Sequence, residues 1–199
     1  MPAGAGTTAA PPSSQALFFA SADALVAWLT AHPVPHPGLW VKVAKKGAGV
    51  VSADAGDVND VALCHGWITG HRKGLDAVHY LQRITPRRPG SHWSAVNVRR
   101  VEELTAQGRM RPAGLAEVAA AGADGRWAAA YASQKEAAVP QELLTALEAH
   151  PRAAAVFGGM GRTDRYLVML ALLRARTPRS RQAQAAAAVA KLEAASGNP

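Results

Sequence analysis

The chain has 199 residues, 49% of them hydrophobic and 18% charged, with a formal net charge of +8. That length supports one real core, or one domain with a helical extension. The lone cysteine, Cys64, excludes an internal disulfide and any CxxC metal or redox motif, and no apolar run approaches the ~18 residues of a membrane span. Excess basic charge favours anionic partners, whether phosphates, nucleic acid, acidic metabolites or anionic membrane surfaces. Basic residues along the whole chain fit solvated arginine-rich faces equally well.

The opening MPAGAGTTAAPPSSQ is small, proline-rich and polar. It has neither the basic n-region nor the apolar h-region of a secretory signal, so residues 1–16 are expected to be a disordered tail and the protein cytoplasmic. Order should begin near Leu17. Ser21 can cap a helix whose buried face carries Leu25, Trp28 and Leu29. Pro33, Pro35 and Pro37 stop that helix. GLWVKVAKK alternates as a strand, with Leu39, Val41 and Val43 on one face. A short helix is expected from Asp57 or Asn59 through Trp67, ended by Gly66 and Gly70. Residues 70–75 and 79–85 read as two strands joined at Asp76-Ala77-Val78. In that register Leu75 faces His79 and His71 faces Arg83, while Arg72, Tyr80, Gln82 and Ile84 share the opposite face.

Ser91 or Ser94 should cap the next helix, which Gly108 ends, and another runs from Pro112 to about Gly122. Trp127 and Tyr131 are candidate core aromatics. From Pro140 onward the pattern is all helical: a stripe at Leu143, Leu144 and Leu147, a helix from Pro151, one capped by Thr163, and an alanine-rich helix from Thr177-Pro178. The fold class expected is α+β, a small antiparallel sheet packed with helices and followed by an all-helical portion. The organisation is a tail over 1–16, a core with a basic hairpin over 17–135, and a helical part of the same domain over 136–199.

The segment from Leu63 to Ser94 concentrates the chemistry. It holds the only cysteine, two of the five tryptophans, four of the seven histidines and a single acidic residue, Asp76. At TPRRPGSHWSAVN, with GWITGHRKGLD before it and GRMRPAGL and ADGRWAAAY after, the chain resembles the YdeI/OmpD-associated, or bacteriocin-protection, family over roughly 18–192. The resemblance implies a role in bacterial stress and resistance, an α+β core and a helical C-terminal portion; it supplies no biochemical activity. Relatives carry acidic residues where this chain has Val61 and Thr69, and Phe and Gln where it has His65 and His71. If the acidic pair carries an ancestral activity, this chain has lost or altered it.

Four readings of the segment are open. In the first, Arg72, Lys73, Arg83, Arg87 and Arg88 form an anion pocket walled by Trp67, Tyr80 and Trp93, with Asn97 beside it. The bland counterpart is a structural network in which Arg83 and Arg87 bind backbone carbonyls or carboxylates such as Glu102 and Glu103. In the second, His65, His71 or His92 ligates a metal or haem. His71 and His79 lie ~13 Å apart at ~3.3 Å per strand residue, too far to share one ion. In the third, His65, His71 and Arg83 act as acid–base and clamping residues of an enzyme. Nucleic-acid binding is the fourth and is not favoured, because no recognised motif accompanies the basic hairpin. The sequence therefore supports a resistance- or stress-associated protein that binds a polar or anionic small molecule. The alternative is an enzyme of specialised metabolism that uses the recruited histidines.

Overall fold

A computed structural model describes residues 16–32 and 36–196. Residues 1–15 of the expected tail, together with Pro33 and Pro35, lie outside the described residues, whereas Ala16, placed in the tail from the sequence, is buried with Trp40 and Leu81. The chain divides into two compact units. The first comprises residues up to Ser91 and Arg100–Ala123; the second comprises His92–Arg99 and Asp124 onward.

In the first unit a four-stranded sheet carries helices on one face. The strands are β1 (Leu17–Phe18), β2 (Leu39–Ala44), β3 (Trp67–Gly74) and β4 (His79–Pro86), in the order β1-β2-β4-β3. The pairs β2–β4 and β4–β3 are antiparallel, as expected, and β1 adds a short parallel edge to β2. Helices α1 (Ala22–Ala31) and α2 (Ala55–Cys64) pack Leu25, Leu29, Val58 and Val61 against Leu39, Val41, Val43, Ile84 and Trp67. The alternation in β2 gave its inward face correctly. Ser21 caps α1, its hydroxyl accepting from the Ala24 N–H at 3.3 Å.

Helix α2 differs from the sequence reading at both ends. It begins earlier, because Asp54 forms a capping box with Asp57 (2.8 and 3.1 Å). It stops at Cys64, and Gly66 at φ +75° turns the chain straight into β3, so Trp67 lies in a strand and not in the helix. The hairpin register is the expected one at its tip, where Leu75 N–H donates to His79 O at 3.3 Å. Further down, the pairing slips between Thr69 and Arg72, so that both Gly70 and His71 fall opposite Arg83. This β-bulge is filled by one buried side chain. Gln82 donates through Nε2 to the carbonyls of Gly70 (3.0 Å) and Arg83 (3.1 Å), and its Oε1 accepts from Arg72 Nε at 3.0 Å.

Helix α3 (Ala95–Ala106) starts in the second unit and is counted with the first from Arg100. Ser94 is its cap, Oγ accepting from Asn97 N–H at 3.3 Å. Helix α4 (Pro112–Ala123) completes the first unit. The second unit is built from α5 (Gln141–Glu148), α6 (Pro151–Gly159), α7 (Arg162–Arg174) and α8 (Pro178–Ser196). Its core joins Leu143, Leu147, Phe157, Met169 and Leu172 to Ala185, Val189 and Leu192 of α8, whose burial recurs at helical spacing. Two starts differ from the sequence reading: Pro140 precedes the first turn of α5, and Gly161, not Thr163, precedes α7.

Gln82 is the testable joint of the sheet. Gln82→Leu keeps the side-chain volume but leaves bulge carbonyls without a donor. It should cost ~1–3 kcal/mol in denaturant unfolding, with faster hydrogen exchange confined to residues 70–72.

Candidate functional site

His65 is the residue around which the cavities of the first unit gather. It ends α2, is buried, and lines three neighbouring hollows of about 330, 430 and 290 Å³. The first is shared with Thr85, Arg87, Arg88 and Glu117; the second with Thr30, Trp67 and Arg111; the third with Asp23, Cys64, Arg109 and Arg111. The His65 Nδ1 lies 2.9 Å from the Val61 carbonyl, which can only accept, so Nδ1 carries the proton. That leaves Nε2 as a bare acceptor, buried and without a hydrogen-bond partner among the described residues. Burial is the main cause holding the imidazole pKa below its usual value; the Val61 bond opposes this and the Arg111 charge adds to it.

Two glycines place His65 where it is. A Cβ on Gly66 would stand 2.9 Å from Ala113 O, and one on Gly114 would stand 2.3 Å from Cys64 O. The first turn of α4 therefore sits directly on the α2–β3 turn, and Arg111 N–H donates to Cys64 O at 3.0 Å. Across the same turn, Arg87 N–H donates to Gly66 O at 3.0 Å and fixes the end of β4. Neither Gly114 nor the α4 contact was singled out from sequence. The GRMRPAGL motif was the available signal, since it holds Arg111, Pro112 and Gly114 together.

The remaining expected site residues divide among several places. Trp67 is buried beneath the second hollow and faces the His36 ring at 5.5 Å between centroids. Arg87 is buried and Arg88 exposed, both at the first hollow. His71, Arg72 and Lys73 are exposed on β3. Arg72 lies over the Tyr80 ring at 4.6 Å, and Arg83 Nη2 donates to Pro37 O at 2.6 Å, the carbonyl-binding role of the structural reading. His92, Trp93 and Asn97 belong to the second unit, where Trp93 packs edge-on with Trp127 at 4.9 Å. Among the described residues, no three or more His, Cys, Asp or Glu side chains are grouped to hold a metal ion, and no helix is long and apolar enough to cross a membrane.

A buried carboxylate went unnoticed in the sequence. Asp60 accepts from Arg100 through Nε (2.7 Å) and Nη2 (2.5 Å) and from Arg109 Nη1 (3.3 Å). The paired carboxylates, Asp60 first and Glu103 second, push the Arg100 pKa further upward. Cys64, one turn along α2, is buried, and burial raises its thiol pKa despite the nearby arginines. That opposes a thiolate nucleophile.

Residues 17–117 match the family described as Domain of unknown function (DUF8412). The chain belongs to that family. Residues 136–195 match a second family, described as Bacteriocin-protection, YdeI or OmpD-Associated, which bears out the family seen in the sequence over that stretch, shorter than the 18–192 expected. The cavities around His65 fall within the first match, as do the motifs GWITGHRKGLD and TPRRPGSHWSAVN; the four-helix core of the second unit falls within the other. No curated protein and no solved structure matches the chain.

The glycine contact and the histidine each make a prediction. Gly114→Ala should cost ~1–3 kcal/mol, because the added methyl meets backbone that cannot swing aside. Gly122→Ala in the same helix, where a Cβ meets nothing within 4 Å, should be neutral or stabilising by up to ~1 kcal/mol. For His65, the unfolded chain takes the proton first as the pH falls. Stability should be level above about pH 6.5 and decline below it, towards the depressed folded pKa. His65→Phe should flatten part of that decline in denaturant titrations at successive pH values. His92, also depressed chiefly by burial, retains its own share.

Proposed function

We propose that the first unit binds a small polar anion in the hollow at His65, as part of a bacteriocin-protection or stress-related role suggested by the family matched at residues 136–195. The observation that carries this reading is the pairing of chemistries in one hollow of about 330 Å³. The Arg87 and Arg88 side chains border it, Thr85 adds a hydroxyl, and His65 brings a buried acceptor that no described residue satisfies. A buried polar atom without a partner is rare in a folded protein and costs stability unless a ligand or water completes it. A carboxylate or phosphate fits the arginines, and a hydroxyl on the same molecule would complement His65.

A second reading is supported by the same side chain. A neutral imidazole with Nδ1–H fixed on a backbone carbonyl and Nε2 bare is the form a general base requires. This makes His65 the acid–base candidate of the enzyme alternative. A metal or haem on that Nε2 remains within the same alternative, with His65 the one of the three candidate histidines His65, His71 and His92 that lines the cavities.

Calorimetric titration with inorganic phosphate and with malate separates these ideas from a purely structural cluster. Binding should be saturable. Arg88→Ala, at an exposed position, should weaken it roughly tenfold or more while leaving the unfolding midpoint unchanged. His65→Phe should weaken malate, which carries a hydroxyl, more than phosphate-free succinate, which lacks it. Absence of saturable binding to any of the three anions would return the arginines to a structural role.

A further inference from the structure

A separate surface of the first unit lies at the end of the sheet remote in register from Arg87. Here β2 runs into the loop 45–53 and β3 turns into β4. The loop is folded back on its own start: Ser52 Oγ accepts from Ala44 N–H at 3.2 Å, and Ala53 N–H donates to Phe19 O at 3.0 Å beside β1. It is also tied to the hairpin tip, since Lys45 N–H donates to Val78 O at 2.8 Å and Lys45 Nζ to Asp76 O at 2.6 Å. Three large apolar side chains stand out at this end, Val51 at 83% exposed, Phe18 at 44% and Val50 at 41%. The same end of the sheet carries Lys42, Lys45, Lys46 and Lys73, all the lysines the chain has before Lys135. The register places Phe18 beside Lys42, and Lys42 and Lys73 on either side of Leu81.

The carboxylates at this end are already engaged. Asp76 accepts from the Val78 and His79 N–H groups at 2.8 and 2.6 Å and lies against the His79 ring. Asp54 caps α2. The surface is therefore cationic with an aliphatic tip.

We propose that this end of the sheet docks on an anionic lipid surface, with Val50 and Val51 entering the headgroup boundary and the four lysines facing lipid phosphates. The charge is complementary, and lysine is suited to the task because its long apolar stem lies along hydrocarbon while its ammonium stays wet. The valines decide between polyanions. Nucleic acid would use the lysines but offers an exposed Val51 nothing to bury against, whereas a bilayer does. The site shares no residue with the His65 hollow, so each can fail without the other.

The test is sedimentation of the full chain with vesicles of phosphatidylcholine alone and with equal parts phosphatidylglycerol, across a salt series. Binding should require phosphatidylglycerol. The double variant Lys45→Ala/Lys46→Ala should lower the partition coefficient roughly tenfold or more at low salt. Val51→Ser should remove the binding that persists at high salt, where the charge attraction is screened. Both changes are at exposed positions, and an unchanged circular dichroism spectrum and unfolding midpoint confirm the fold. Equal binding to phosphatidylcholine alone, indifference to the lysine pair, or indifference to Val51→Ser would overturn the proposal. So would tight binding of a single-stranded oligonucleotide that displaces the vesicles and ignores Val51→Ser, which would assign the surface to nucleic acid.

Discussion

The ion cluster at Asp60 is the constraint on which the first unit depends. A carboxylate facing the inside of α2 is costly to bury, and it persists because Arg100 grips it with two nitrogens and Arg109 adds a third. The two arginines come from different elements, one from α3 and one from the segment between α3 and α4. The cluster therefore does more than neutralise charge: it fixes where the chain re-enters α4 relative to α2. Replacing it with apolar side chains could conserve energy but would lose that registration, since hydrophobic contacts tolerate sliding and a bidentate ion pair does not.

From that fixed point the rest of the His65 environment follows. Arg109 held by Asp60 places Arg111 under Cys64 O, and Arg111 sets the first turn of α4 against the α2–β3 turn. Contact there is backbone to backbone, possible because Gly66 and Gly114 have no Cβ. Between the two elements His65 has one nitrogen spent on Val61 and one left over. The same close approach that seals Cys64 thus buries a ring nitrogen that no described residue satisfies. Stability and the candidate site are two consequences of one packing arrangement, and this is why a substitution at Gly114 bears on both.

Much of this was legible from residue order and some was not. The strand at 39–44 and the face of the hairpin carrying Arg72, Tyr80 and Gln82 were readable, because alternation of two is a local property. So was His65, as the histidine at the end of a short helix. The end of α2 was misplaced because Trp67 continues a helical apolar pattern, and only the left-handed turn at Gly66 removes it. The bulge was missed because Gly70 next to His71 looks like ordinary strand punctuation. Asp60 was missed because, in sequence, it is one more polar residue in a helix. Its partners lie 40 and 49 residues away, and nothing local announces such a pairing. Trp93, Asn97 and His92 were grouped with the basic segment by proximity along the chain, yet Ser94 opens a helix there and a bridge to Tyr131 ties them into the second unit.

The net charge of +8 also changes meaning once partners are visible. It does not describe one diffuse basic surface. Arginines are largely spent on internal acceptors: Arg83 on Pro37 O, Arg100 on Asp60, Arg165 on Phe157 O, Arg176 on Asp124 O and Arg181 on Glu142. Their planar, multiply donating heads suit them to stitching carbonyls and carboxylates together. Lysine, a hydrated point charge on a flexible stem, is used differently here. Lys45 spends one donor on the hairpin tip, and Lys46 and Lys73 are exposed. Several arginines thus hold the fold through carbonyls and carboxylates, while Lys45, Lys46 and Lys73 are exposed. Part of the +8 is therefore already held by acceptors within the protein, and only the rest is presented to an outside partner.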